Sequence, residues 1–135
     1  MRQLILLALP VLLFASNAQA DEKIDCKSSN LNQMQLNQCA GIDFDKADAK
    51  LNALYRDLIK RYDPPDQALL KAAENKWIAY RDAECAFETN LTIGGTIHPM
   101  VETFCWTEKT NARMKELTAQ MNCGDGDTEC NPPSR

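Results

Sequence analysis

The sequence predicts an all-α fold, a small antiparallel bundle of three main helices stapled by disulfides. Three observations predict it. Apolar residues recur every three or four positions through three long segments, and no segment alternates long enough to make a strand. Two turn signals, Pro64-Pro65 and Gly94-Gly95, divide those segments. Six cysteines, Cys26, Cys39, Cys85, Cys105, Cys123 and Cys130, all follow an export leader, and an even count in an exported chain reads as disulfides.

The leader comes first in the chain. Arg2 supplies a positive start, Leu4 to Phe14 form a short apolar run, and Ala18-Gln19-Ala20 is a small-residue cleavage site. Cleavage after Ala20 is expected, with the product in the periplasm or the medium. The apolar run is too short to span a bilayer. No cysteine stands at the cleavage point for a lipid, so no membrane anchor is expected. Removing 20 of the 135 residues leaves 115, enough for one domain with a modest core. Only Arg2 of the 15 basic residues goes with the leader. With 19 acidic residues remaining, the charge becomes −5 with His98 neutral. That balance excludes a nucleic-acid binder, which needs a basic footprint.

Residues 21–122 are read as the helical domain and residues 123–135 as an irregular acidic tail. Asp21 to Asn30 form a polar lead-in. The first helix spans about Asn32 to Tyr62, with Phe44, Ala47, Leu51, Leu54, Leu58 and Tyr62 on its apolar stripe. Gly41 weakens a helix interior, so a break there, with Asp43 capping a second piece, stays open. Asp63-Pro64-Pro65-Asp66 stops this helix, and Asp66 caps the next, about Gln67 to Thr89, with Leu70, Ala73, Trp77, Tyr80 and Phe87 inward. Asn90 to Pro99 is a loop. The third helix covers about Pro99 to Asn122 and buries Met100, Phe104, Met114, Leu117 and Met121. In the tail, the run from Cys123 to Arg135 has no periodicity.

These hairpins constrain the cysteines. Reflection across Gly94-Gly95 places Cys85 near Cys105. Cys123 and Cys130 then close the tail, and Cys26 pairs with Cys39. Reflection across Pro64-Pro65 also brings Cys39 level with Cys85, so a swapped pattern stays open. The spacing fits no zinc ribbon, and the single histidine stands apart from any cysteine pair, so no metal or cofactor is expected.

The densest stretch is WIAYRDAEC, Trp77 to Cys85. Aromatic residues seek burial and charges resist it. Either the charges pair internally or they border a working surface. With MQLNQCA (Met34 to Ala40), ADAKLNALY (Ala47 to Tyr55), Gly94-Gly95, Pro99 and the series Cys105, Thr110, Arg113, Leu117, this stretch resembles the LprI-like lysozyme inhibitor family, from about Gln33 to Leu117. The resemblance implies a small exported domain that binds lysozyme stoichiometrically and is no enzyme. It transfers no inhibitory residues, because the matching positions read as determinants of the fold.

Two groups of residues are then candidates. Asp48, Arg81, Asp82, Glu84 and Arg113 are expected to form a structural polar network, with Arg113 reaching Glu84 or Asp48 across the hairpin. Thr92, Gly94, Gly95, Thr96 and His98 are expected to form the partner-binding loop. Inhibitors of glycan-cleaving enzymes commonly push an exposed loop at the catalytic carboxylates, and His98 offers a polar group for them. No Ser-His-Asp or metal constellation supports catalysis. The chain is expected to be a monomer. The alternative is a periplasmic interaction module that uses the Trp77 helix; a small hydrolase or ligand carrier comes third and requires a polar cavity.

Overall fold

A computed structural model describes residues 24–133. The expected leader and its cleavage site lie outside the described residues. Three α-helices carry the fold: α1 (Gln33–Ile59), α2 (Pro64–Glu88) and α3 (His98–Met121), with a short 3₁₀ turn, Asn90–Thr92, after α2. There is no strand among the described residues.

Asn32 starts α1 with a reciprocal cap. Its side chain accepts from the Gln35 amide at 3.0 Å, and the Gln35 side chain accepts from the Asn32 amide at 2.9 Å. The helix then runs unbroken through Gly41, so the break considered there is absent. A helical glycine costs about 1 kcal/mol relative to alanine. Burial of Ala40, Ala47, Leu51 and Leu58 on the same helix outweighs that cost. Its end comes at Ile59, before Tyr62 as expected from the stripe, because the chain must leave helical geometry ahead of Asp63-Pro64.

The cap of α2 also differs from expectation. Asp63, not Asp66, is the N-cap, and its side chain accepts from the Asp66 amide at 3.2 Å. Pro64 and Pro65 occupy the first helical turn, where an amide hydrogen would have no partner inside the helix. The proline pair therefore begins α2 as well as ending α1.

The closest helix pair is α1 with α3, which run in the same direction; α2 returns alongside them and packs chiefly on α3. Near the start of both helices, Asn37 Nδ2 donates to the Thr96 carbonyl at 3.0 Å. At the far ends, Tyr62 Oη donates to the Asn131 carbonyl at 2.7 Å, and Gln120 Nε2 donates to Tyr62 Oη at 3.1 Å. These contacts hold the tail against the ends of α1 and α3. The core lies toward that end: Leu51, Leu58, Tyr62 and Leu117 are buried, with Trp77, Leu70, Met114 and Met121 packed on them.

Four expected core residues are exposed: Ala73, Tyr80, Phe87 and Phe104. Tyr80 and Phe87 face solvent at 53% and 78% exposure, and Phe104 is also largely exposed. The cause is the rotation of α2. Cys85 is bonded to Cys105, and Glu74 is buried against Arg113, so the face bearing Glu74, Trp77, Arg81 and Cys85 turns inward. Tyr80 and Phe87 point the other way. Disulfides join Cys26 to Cys39, Cys85 to Cys105 and Cys123 to Cys130; the swapped pattern does not occur.

Candidate functional site

The Trp77 region is a stack of cations and rings. The Arg81 guanidinium lies 5.4 Å from the Phe44 ring centroid on α1 and 5.3 Å from that of Trp77 on α2. Arg113 of α3 lies 5.8 Å from Trp77, and Phe44 packs on Trp106 with centroids 5.6 Å apart. All three helices are joined through these contacts; the three arginine contacts are attractive because a cation meets the negative face of a ring, and the fourth is a tilted aromatic pair. Arg81 also pairs with Asp82 at 2.9 Å and Asp48 at 3.9 Å. Arg81 and Asp82 of the densest stretch are thus paired inside the fold.

Arg113 corrects the expected network. It meets neither Glu84 nor Asp48. Its Nε and Nη2 both reach Glu74 Oε2 at 3.0 Å, and its Nη1 reaches Glu116 at 2.8 Å. Glu74 is only 8% exposed. Burial alone would lower the Arg113 pKa, but hydrogen bonds to Glu116 and Glu74 outweigh it and hold the pKa above the usual arginine value. Burial, reinforced by the charge of Glu74, likewise raises the Tyr55 hydroxyl. Glu74 was legible in principle: it lies three residues before Trp77 and seven before Arg81, on the same helical face. Glu84 is half-buried and makes no hydrogen bond or ion pair among the described residues.

The second group does come together, at the end of the α2–α3 hairpin. Thr89 caps α2, its hydroxyl donating to the Cys85 carbonyl at 2.7 Å. The Gly95 amide donates to the Thr92 carbonyl at 2.9 Å, closing a turn on Ile93 (φ −55, ψ 132) and Gly94 (φ +83). Those angles make a type II turn, whose third position favours glycine. Gly95 is tight for another reason: a Cβ there would lie 3.1 Å from the Thr92 carbonyl oxygen, which would have to give way slightly. Ile93 is thereby held outward, 63% exposed, next to Leu91 at 98%.

His98 does not project from the loop. Its Nδ1 lies 2.9 Å from Thr92 Oγ1, and the Thr92 hydroxyl hydrogen is already donated to the Thr89 carbonyl at 2.7 Å. Nδ1 must therefore carry the proton and donate to Thr92. Nε2 lies 3.9 Å from Glu102. His98 and Thr92 thus brace the turn, the Thr96 carbonyl ties it to α1 through Asn37, and the side chains offered outward are Asn90, Thr96 and the apolar Leu91, Ile93 and Ile97. The missed signals were Asn37, remote in sequence, and Leu91, which belongs to no periodic stripe of the core.

A concavity of about 580 Å³ lies at the opposite end of the bundle, lined by Lys60, Tyr62, Asp63, Met121, Cys123 and Pro133 among others. It holds no catalytic constellation. Cys123, Asp127 and Cys130 cluster as metal ligands would, but the two sulfurs are bonded to each other. No described helix is long and apolar enough to cross a membrane.

Comparison with known proteins gives a family model described as lysozyme inhibitor LprI, which matches residues 25–117. A protein of Rhizobium meliloti (strain 1021), itself described as uncharacterized, is 34% identical over 123 residues, covering 82% of this chain and 87% of that protein. No solved structure matches. The family match explains itself in the fold. Cys105, Thr110 and Leu117 are buried on one side of α3, with Arg113 among them. Cys39, Ala40, Ala47 and Leu51 are buried on α1.

Proposed function

This chain belongs to the LprI lysozyme inhibitor family, and on that premise we propose that it is an exported protein that inhibits lysozyme by stoichiometric binding. The loop after α2 is its contact. The observation that carries this reading is the braced type II turn that presents Ile93 to solvent while its own polar groups are satisfied within the fold. A preorganised loop loses little conformational freedom on binding, which favours affinity. Its large exposed side chains are apolar, so contact would come from burial of Leu91 and Ile93 in a concave site rather than from His98 meeting a carboxylate. The net acidic charge would aid approach to a basic lysozyme, and salt should slow that approach. The family is one of inhibitors, and the polar residues of the bundle have structural partners, which supports a binder without chemistry.

The test is a cell-wall turbidity assay with the exported, fully oxidised chain against animal-type and bacterial-type lysozymes. Saturable protection near one molecule per enzyme is expected with at least one class. Replacing Ile93 with serine should weaken inhibition roughly tenfold, about the loss from one buried aliphatic side chain. It should leave helicity unchanged, because Ile93 is a solvent-facing turn residue. Absence of protection by the folded protein would end the inhibitor reading. Full protection by the Ile93→Ser protein would end the role given to the loop.

A further inference from the structure

The outer face of α2 carries an apolar surface that nothing in the fold covers. Leu69, Ala72, Tyr80, Ala83 and Phe87 lie along it, with Leu91 just beyond the helix, and all are exposed. The spacing is helical, so these residues form one stripe rather than scattered points. At 1.5 Å per residue the stripe from Leu69 to Phe87 is about 27 Å long. The inward face of α2 buries only Glu74 and Cys85. The helix is therefore amphipathic twice over, with one side held by a disulfide and ion pairs and the other left apolar. Lys76 is the one charged residue set within the stripe.

We propose that a second copy of this chain covers this face, α2 against α2 in antiparallel sense, about a two-fold axis at Tyr80. The argument is self-complementarity, which a two-fold interface requires. With the axis at Tyr80, residues 73–87 of α2 lie against the same span of the other copy's α2. Ala73 comes level with the partner's Phe87, a small residue facing a large one. Lys76 comes level with the partner's Glu84; Lys76 has no ion pair or hydrogen bond among the described residues of its own chain, and Glu84 feels Lys109 of its own chain without a hydrogen bond to it. A parallel pair would instead set Lys76 beside Lys76 and Phe87 beside Phe87. Ala72 and Ala83 keep the seam shallow enough for the helices to approach closely. The dimer differs from the monomer that the sequence leads one to expect, and it stands whether or not the chain binds lysozyme. Both Gly94 turns would lie at opposite ends of the pair.

Sedimentation equilibrium over a concentration series tests it, on the exported and oxidised chain. The expected result is a reversible dimer. Ala83→Arg should give a monomer with unchanged helical circular dichroism, since Ala83 is exposed on the single chain. Lys76→Glu should weaken the dimer by roughly tenfold, the effect of like charges brought together at an interface. Adding Glu84→Lys to that variant should restore it. A chain monomeric at every concentration overturns the proposal. So does a dimer indifferent to Ala83→Arg, or a charge reversal that the second substitution fails to repair. Loss of lysozyme inhibition by Ala83→Arg with no change in mass would also overturn it, by assigning the face to lysozyme.

Discussion

Replacing Arg113 with methionine should destabilise the fold by about 3–5 kcal/mol, the range for breaking a buried ion pair from one side. The loss comes from what is left behind. Glu74 is 8% exposed and would keep its charge without its bidentate partner. The Glu116 arm of the same arginine matters much less, because that carboxylate is 61% exposed and screened by water. Urea unfolding of the two proteins measures the difference. Adding Glu74→Leu to the methionine variant should recover most of the loss, since an apolar pair needs no compensation. Recovery would show that the pair orients α2 more than it stabilises the bundle. A single variant within about 1 kcal/mol of the parent would mean that solvent reaches Glu74 after all.

Removing the Cys85–Cys105 bond, with alanine at both positions, should cost about 3 kcal/mol from the released unfolded chain alone, given a separation of 20 residues. The full effect should exceed that figure. Both half-cystines are buried, and α2 has few other buried residues to hold it. Loosening of α2 would carry Trp77 out from between its two arginines, so near-ultraviolet circular dichroism should fall before helicity does. The matched variant at Cys123 and Cys130 closes only seven residues, and the tail there is also held by Tyr62 and Gln120. Its cost should be clearly smaller. Equal costs for the two pairs would refute the role of the first as the anchor of α2.

Much of the architecture was legible in the sequence, for reasons tied to particular residues. The α1 stripe was readable because it is buried on one side by a long parallel neighbour. The Cys85–Cys105 bond was readable because the Gly94-Gly95 turn sets those two residues level, whereas reflection across Pro64-Pro65 kept a swapped pattern open. The orientation of α2 was not. Trp77 and Phe87 look alike to a periodicity argument, and only Glu74 with Arg113 decides which one turns inward. An ion pair spanning 39 residues leaves no local trace. The cap at Asp63 was misjudged because a proline pair was taken as a stop alone, although the same two residues suit a first helical turn. At the loop, Gly94-Gly95 pointed correctly to a turn. His98 attracted attention as the lone histidine, yet its bond to Thr92 depends on a backbone carbonyl whose position only the fold supplies.

The order of the cysteines has a consequence for biogenesis. Each bond joins neighbours in the sequence, first with second, third with fourth, fifth with sixth. A chain emerging N-terminus first into an oxidising compartment meets each correct partner before any wrong one has appeared. An oxidase acting as the chain emerges should therefore produce the native map directly, and a disulfide isomerase should have nothing to repair. Yield of the oxidised protein should collapse in cells without the oxidase and stay level in cells lacking only the isomerase. A requirement for the isomerase would mean that the cysteines wait, unpaired, until the whole chain is across.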